Sequence, residues 1–225
     1  MSTAAVSPYA DYLKDIFMPA SIRRLPIEPV RRVPIPWFVA WLDGKPEFRV
    51  VDPDKLVAAI KKQLCWVCGD KYGDRRAFVL GPMCIVNRTS AEPPCHVECA
   101  TFSAVACPFL TKPHMVRRDT SDLVEKSEER MQAPAGVMIE RNPGCCAVYV
   151  VRKHSFEGHR AGPLFHFEAP EYIRWYCEGR TATRAEVEHS IATGLPLLEK
   201  ECRGLTDHVE LARLVAVAKQ YLPKR

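Results

Sequence analysis

The sequence predicts an α+β protein in which a central metal-binding segment is flanked by a β-hairpin with a helix on one side and a small antiparallel sheet with helices on the other. Three observations predict this class. An Asp-Gly turn separates two apolar runs near the N-terminus, cysteine and histidine recur at metal-ligand spacing in the middle, and β-branched or aromatic segments precede helical periodicity in the last third.

Composition and hydropathy place the chain among globular proteins. Of its 225 residues, 47% are hydrophobic and 26% are charged, which suits a packed core and excludes a disordered or collagenous chain. Charged residues interrupt the first thirty positions, and the longest uncharged apolar stretch is shorter than the roughly 20 residues that cross a bilayer. We therefore expect a cytoplasmic protein without a membrane partner. There, clustered cysteines are more typical of metal sites than of disulfides.

The first regular element is predicted to be a hairpin over residues 37–52. Its two apolar runs are separated by Asp43 and Gly44, a dipeptide that favours a tight two-residue turn. Asp52 then caps a helix that has Pro53 at its first position and apolar residues at helical spacing. This helix leads directly to the first cysteine pair.

The chain beyond the cysteines divides at a predicted linker. A polar helix over residues 122–132 runs into the Ala/Pro/Gly segment 133–136, which predicts an N-terminal region 1–132 and a C-terminal region 133–225 that can pack together as one domain. Three strands are expected next, over residues 137–140, 147–156 and 163–170. Helices follow, with capping boxes expected at Thr183/Glu186 and at Asp207/Glu210, and with a break near Pro196.

Charge is unevenly distributed. The formal net charge is +5, and residues 61–120 carry an excess of +4. Thiolates bound to a metal would offset part of that excess. The basic segment is thus compatible with a nucleic-acid partner without requiring one.

Two short motifs in that segment supply a metal-ligand set. Cys65 and Cys68 form a C-x2-C-G knuckle, and His96 and Cys99 repeat the same spacing at the start of a predicted helix. Residues three apart share a helix face, so both side chains of the second pair can reach one ion. Cys65, Cys68, His96 and Cys99 are therefore predicted to bind a structural Zn²⁺. Cys95 and Cys84 are the possible alternative ligands, because either can replace a member of the set.

Knuckle, apolar segment and ligand-bearing helix, in that order, resemble a treble-clef zinc finger over about residues 65–110. The resemblance implies a β-hairpin between the two pairs, expected around Gly81 and Pro82. It also raises an enzymatic alternative, because treble clefs include the HNH metal-dependent nucleases. A nuclease of that type needs a histidine general base near the hairpin, where this sequence has Asn87 and Arg88, although His114 lies farther along the chain.

Two further sets of residues are candidate sites. Asn87 and Arg88 precede the ligand helix, and we expect them to be able to hold an anion or a partner. In the C-terminal sheet, a register symmetric about residue 160 would place four polar side chains on one face. They are Arg152, His154, His166 and Glu168.

These features favour a zinc-stabilised, non-enzymatic binding or adaptor protein with a macromolecular partner, either protein or nucleic acid. The alternatives are an HNH-like nuclease and a nucleic-acid-binding module that uses the basic segment 61–120. Four protein ligands saturate a tetrahedral zinc ion, so the sequence gives more support to the non-enzymatic hypothesis.

Overall fold

The computed structural model describes residues 7–112, 142–159 and 162–224. The structure combines helices with small antiparallel sheets, which confirms the α+β class. The helices are α1 Ala20–Arg23, α2 Pro53–Lys62, α3 Pro82–Asn87, α4 Val97–Ala106, α5 Pro108–Thr111, α6 Arg184–Glu199 and α7 Leu205–Lys219. The strands are β1 Ile27–Glu28, β2 Val33–Pro34, β3 Val39–Leu42, β4 Lys45–Val51, β5 Arg76–Leu80, β6 Thr89–Ser90, β7 Cys145–Val151, β8 His154–His159, β9 Gly162–Phe167, β10 Tyr172–Cys177 and β11 Arg180–Thr181.

The predicted N-terminal hairpin is present as β3 and β4. Asp43 and Gly44 both have positive φ, at 50° and 73°, as a tight hairpin turn with two left-handed residues requires. The Asp52 carboxylate accepts hydrogen bonds from the amides of Asp54 and Lys55 and so caps α2 as expected. Local sequence chemistry accounts for this part of the fold.

The main sheet has the antiparallel strand order β11-β10-β7-β5. Its central strand β7 is buried at every position, so it has no solvent-facing side. Alternate residues of β7 serve two different cores, because successive side chains of a strand point to opposite faces. Cys146, Val148 and Val150 pack with the cysteine pairs and α4. Tyr149 and Val151 pack with α3, α6 and α7.

The pairing of β5 with β7 joins the two predicted regions of the chain. β5 precedes the predicted boundary at residue 132 and β7 follows it, yet their backbones pair from Arg76 opposite Val151 to Leu80 opposite Ala147. The two regions thus contribute strands to one sheet.

A second sheet has the order β6-β9-β8, and its register differs from the predicted one by a single residue. His154 lies opposite Phe167, and Ser155 lies opposite His166. A one-residue shift moves a side chain to the other face of a strand, so His154 and His166 do not share a face. The prediction of one continuous strand over 147–156 is also wrong, because the chain leaves the main sheet after Val151 and joins the second sheet at His154.

The hairpin predicted around Gly81 and Pro82 is replaced by helix α3. Pro82 occupies the first helical position, where its missing N–H costs nothing. Met83, Ile85 and Val86 are buried on α3, which packs against both C-terminal helices. A short apolar run fits a strand or a buried helix equally well, and tertiary packing selected the helix.

The C-terminal helices follow the predictions in part. The Thr183/Glu186 capping box is present, whereas α6 continues through Pro196 without the predicted break. Helix α7 begins at Leu205, so the capping box predicted at Asp207 is wrong, and Glu210 instead forms an ion pair with Arg213.

Some predictions fall outside the described residues. The polar helix 122–132, the linker 133–136 and the strand 137–140 all lie within the undescribed range 113–141. Within the described ranges, no helix combines the length and apolar character needed to span a bilayer.

Candidate metal centre

The first ligand pair sits on a tight turn between α2 and β5. The amide of Gly69 donates to the Cys65 carbonyl at 2.8 Å, and the Cys65 amide donates to the Asp70 carbonyl at 2.7 Å. Gly69 has φ of +80°, and a Cβ at this position would lie 2.8 Å from Cγ of Trp37. The turn therefore requires glycine both for its backbone conformation and for its closeness to an indole ring.

The second pair lies at the start of α4. His96 occupies the N-cap position, immediately before the first helical residue, and Cys99 follows in the first turn. The approach to the helix is held by Cys95, whose amide and carbonyl both hydrogen-bond to Ala77 of β5, at 2.7 and 2.9 Å. The main sheet thus positions the second pair against the first.

The four predicted ligands converge. Sγ of Cys65, Cys68 and Cys99 and one ring nitrogen of His96 all lie within 4.8 Å of one another. Nδ1 of His96 is 3.4 Å from Sγ of Cys68 and 3.8 Å from Sγ of Cys99. Zinc distances of about 2.3 Å to sulfur and 2.0–2.1 Å to nitrogen give a tetrahedral sulfur–nitrogen edge of about 3.5 Å. The observed separations fit that geometry.

A main-chain carbonyl orients the imidazole. Nε2 of His96 lies 2.9 Å from the carbonyl oxygen of Lys71, and a carbonyl can only accept a hydrogen bond. Nε2 therefore carries a proton, and Nδ1 is the nitrogen that faces the three sulfurs. Metal-bound histidines commonly have such a partner on the second nitrogen.

The centre is largely enclosed. Cys65 and Cys99 have no exposed surface, and Cys68 is also buried. The His96 amide lies 3.3 Å from Sγ of Cys65 and donates to it, while the Ser21 hydroxyl lies 3.4 Å from Sγ of Cys99. The amide hydrogen of His96 favours the thiolate form of Cys65, which is the form that a metal requires.

Proton sharing among the four side chains shows how closely they interact. Hydrogen bonds from Cys68, Cys95 and Cys99 hold the pKa of Cys65 well below its ordinary value. Hydrogen bonding to Cys65 and then Cys68 raises the pKa of His96 to about 11. Negative charge thus concentrates on Cys65, whereas hydrogen bonding to Cys65 and then Cys68, together with burial, raises the pKa of Cys99. A divalent cation would replace the shared protons.

The two alternative ligands are not members of the four-residue group. Cys95 is buried beside Cys65, and the hydrogen bond to Cys65 together with burial raises its pKa well above the ordinary value. Cys95 nevertheless lies outside the four-residue group. Cys84 is exposed on α3 and also lies outside that group. The hairpin expected to bring Cys84 over the ion is absent, because that segment is helical.

Asn87 and Arg88 do not lead into the ligand helix. Arg88 caps the C-terminus of α3 in a left-handed conformation, and strand β6 and two prolines separate it from His96. The C-terminal end of a helix carries partial negative charge, which disfavours anions. The physical reason for an anion site at these two residues is therefore lost.

The predicted polar sheet face is divided in the structure. His154 packs edge-on against Phe78 at 5.7 Å between ring centroids, whereas His166 lies on the other face, 3.7 Å from the Glu157 carboxylate. Arg152 pairs with Glu171, outside the β8–β9 ladder. Glu168 has an exposed side chain, and its carbonyl accepts a hydrogen bond from the Tyr149 hydroxyl.

The sequence did not indicate the groups that surround the ligands. Lys71 acts through its carbonyl, which every residue possesses, and Ser21 lies 78 positions before Cys99. Neither has a motif that would identify it. His114 lies outside the described residues.

No family model matches the chain, and neither a curated protein nor a solved structure matches it.

Proposed function

We propose that Cys65, Cys68, His96 and Cys99 hold a structural Zn²⁺ and that the chain is a zinc-stabilised, non-enzymatic binding protein. The convergence of three sulfurs and one oriented imidazole nitrogen carries the proposal. Three thiolates with one imidazole are a donor set that zinc prefers, and four protein ligands leave no coordination position for water. The ion would then act as a scaffold.

The arrangement supports a treble-clef-like assembly with an enlarged hairpin. The knuckle, strand β5 and the ligand helix α4 follow in the order of that fold. The backbone pairing of Ala77 with Cys95 stands where the second arm of such a hairpin would end, just before the ligand helix. Helix α3 and strand β6 fill the interval between the arms. The zinc site would hold these elements around the core shared by β7.

The centre has the features of a structural site. Its sulfurs are buried. Among the described residues, the one histidine in the four-residue group is His96, which would itself bind the metal. A general base for hydrolysis would need a further side chain within hydrogen-bond reach of a metal-bound water. We therefore place the function in binding, and the main test of that choice is an assay for cleavage.

The decisive experiment combines metal analysis with activity. Elemental mass spectrometry of the purified, reduced chain should give one zinc per chain for the wild type and for Cys84→Ser, and a large loss for Cys68→Ser. Plasmid and single-stranded DNA or RNA, incubated with Mg²⁺, Mn²⁺ or Zn²⁺, should remain intact. Folded wild-type protein without zinc would overturn the metal proposal. Cleavage abolished by His96→Ala would overturn the non-enzymatic one.

A further inference from the structure

A cleft of about 360 Å³ lies beside the metal centre, between the end of α2 and the start of β8. This volume is within the range of sites that bind small molecules or single residues of a polymer. Its walls also include the segment before β5 and the two prolines that precede the ligand helix. The lining residues that bear on binding are Tyr72, Arg76, Arg152, Lys153, His154 and Phe156.

The charge in the cleft has one sign. Three cationic side chains line it, and no aspartate or glutamate is among the described lining residues. Arg152 shares Glu171 with Arg75, so one carboxylate faces two guanidinium groups. Arg76 donates to the backbone carbonyls of Asp74 and Arg152, and Lys153 is exposed. The cleft therefore favours an anionic ligand.

Two polar atoms of lining residues lack a partner in the described part of the chain. They are Nε of Arg76 and Nδ1 of His154, and both are buried. Burial lowers the pKa of His154, and the neighbouring Arg76 lowers it further, which disfavours a positive charge on this ring. Buried polar atoms are normally paired, so the wall of the cleft holds unmet hydrogen-bonding capacity at these two side chains.

Aromatic rings supply the second recognition element. Phe156 keeps 51% of its surface exposed although it lines the cleft, and its ring lies 5.9 Å from that of Phe165. The Arg76 guanidinium lies 5.4 Å from the centroid of Tyr72. An exposed ring and cationic side chains that line the same cleft are the combination that binds a planar base and its phosphate.

We propose that this cleft binds a nucleotide unit, with the phosphate near Arg76 and Lys153 and the base against Phe156. The unit can be a free nucleotide or part of a single strand, since both present the same chemistry. The proposal rests on the binding function above, and it names the ligand class. Within a duplex the base is already stacked on both faces, so single-stranded nucleic acid is the polymer that fits.

The metal centre supports the walls of this cleft. Tyr72 directly follows Lys71, whose carbonyl holds His96, and its amide donates to the Gln63 carbonyl at 3.2 Å. The Pro94 carbonyl accepts a hydrogen bond from the amide of Trp66, inside the knuckle, at 3.1 Å. Loss of the ion should therefore free the Tyr72 segment and the Pro94 segment together. Metal binding and ligand binding in the cleft would then be coupled.

The test is equilibrium binding to the zinc-loaded chain. Fluorescence anisotropy with a labelled octanucleotide of single-stranded RNA or DNA, and calorimetry with AMP and CMP, cover the two sources. We expect affinity that falls as salt rises, and losses of about tenfold with Phe156→Ala and with Lys153→Glu, in the range that one stacking or phosphate contact contributes. Phe17→Ala and Lys45→Glu, on exposed residues that do not line the cleft, are the matched controls and should bind like the wild type.

Each result supports or overturns the proposal. Binding of the oligonucleotide alone assigns the cleft to a strand, and binding of the mononucleotides assigns it to a free nucleotide. Absence of binding in a zinc-loaded, folded chain overturns the ligand class while leaving the zinc-stabilised binding function intact. Equal losses in the cleft variants and in their controls overturn the location. Zinc content measured on the same samples separates these outcomes from failure of the metal site.

Discussion

The carbonyl oxygen of Lys71 lies 2.9 Å from Nε2 of His96 and fixes which ring nitrogen faces the three cysteine sulfurs. Lys71 follows the knuckle turn, so the loop that carries the first ligand pair also orients the histidine of the second. The two pairs are joined by main-chain contacts as well as by their proximity. Metal binding and folding of this region should therefore be coupled.

Removal of the ion should unfold the centre of the protein. Structural zinc sites contribute apparent binding energies of about 10–16 kcal/mol, which match or exceed the roughly 5–15 kcal/mol net stability of a domain. We expect a strong chelator to shift thermal unfolding, followed by circular dichroism, to a much lower temperature. Cys68→Ser should melt low in the presence of zinc, whereas Cys84→Ser, at an exposed position, should melt near the wild type. Similar melting of both variants would contradict a structural role.

Gly69 should tolerate no side chain. Gly69→Ala places a Cβ 2.8 Å from the Trp37 ring at a backbone φ of +80°, and we expect a loss of about 1–3 kcal/mol in urea unfolding with faster zinc release to a chromogenic chelator. Gly73→Ala is the matched control, because a Cβ at that position would meet nothing within 4 Å. A change of a few tenths of a kcal/mol is expected there. Equal effects would show that the close approach to Trp37 is unimportant.

His154 should make stability depend on pH. Burial, and then the charge of Arg76, lowers its pKa in the folded state below the ordinary 6.5, so the unfolded chain binds the proton first as pH falls. Stability is thus fully present above pH 6.5 and decreases as pH falls toward the folded-state pKa. Urea unfolding at several pH values should show a shallower decrease for His154→Phe than for the wild type.

The capping box of α6 should contribute measurably to stability. The Thr183 hydroxyl accepts from the amide of Glu186, and the Glu186 carboxylate accepts from the amide of Thr183 at 2.8 Å. Thr183→Ala should cost about 1 kcal/mol in urea unfolding, because the Glu186 amide loses the hydroxyl that accepts its hydrogen bond. Thr183→Ser keeps the hydroxyl and should lie within a few tenths of a kcal/mol of the wild type. Equal losses would place the effect in the methyl group.

Local chemistry in the sequence determined several features. The Asp43-Gly44 turn, the caps at Asp52 and Thr183, and the spacing of the cysteine and histidine pairs each depend on residues close together in the chain. Their geometry follows from backbone sterics, hydrogen bonding and the reach of side chains on one turn. Sequence alone therefore predicted these elements and the convergence of the four candidate ligands.

Only tertiary structure decided the rest. The apolar segment after Gly81 became helix α3 because it could bury its side chains against α6 and α7, which lie far along the chain. The one-residue register of β8 on β9, which separates His154 from His166, was selected by packing of His154 on the Phe78 face. The Lys71 carbonyl and the cleft beside Tyr72 depend on where distant segments meet. Which distant segments meet depends on the apolar surface that the whole chain buries, and no short stretch of sequence encodes that total.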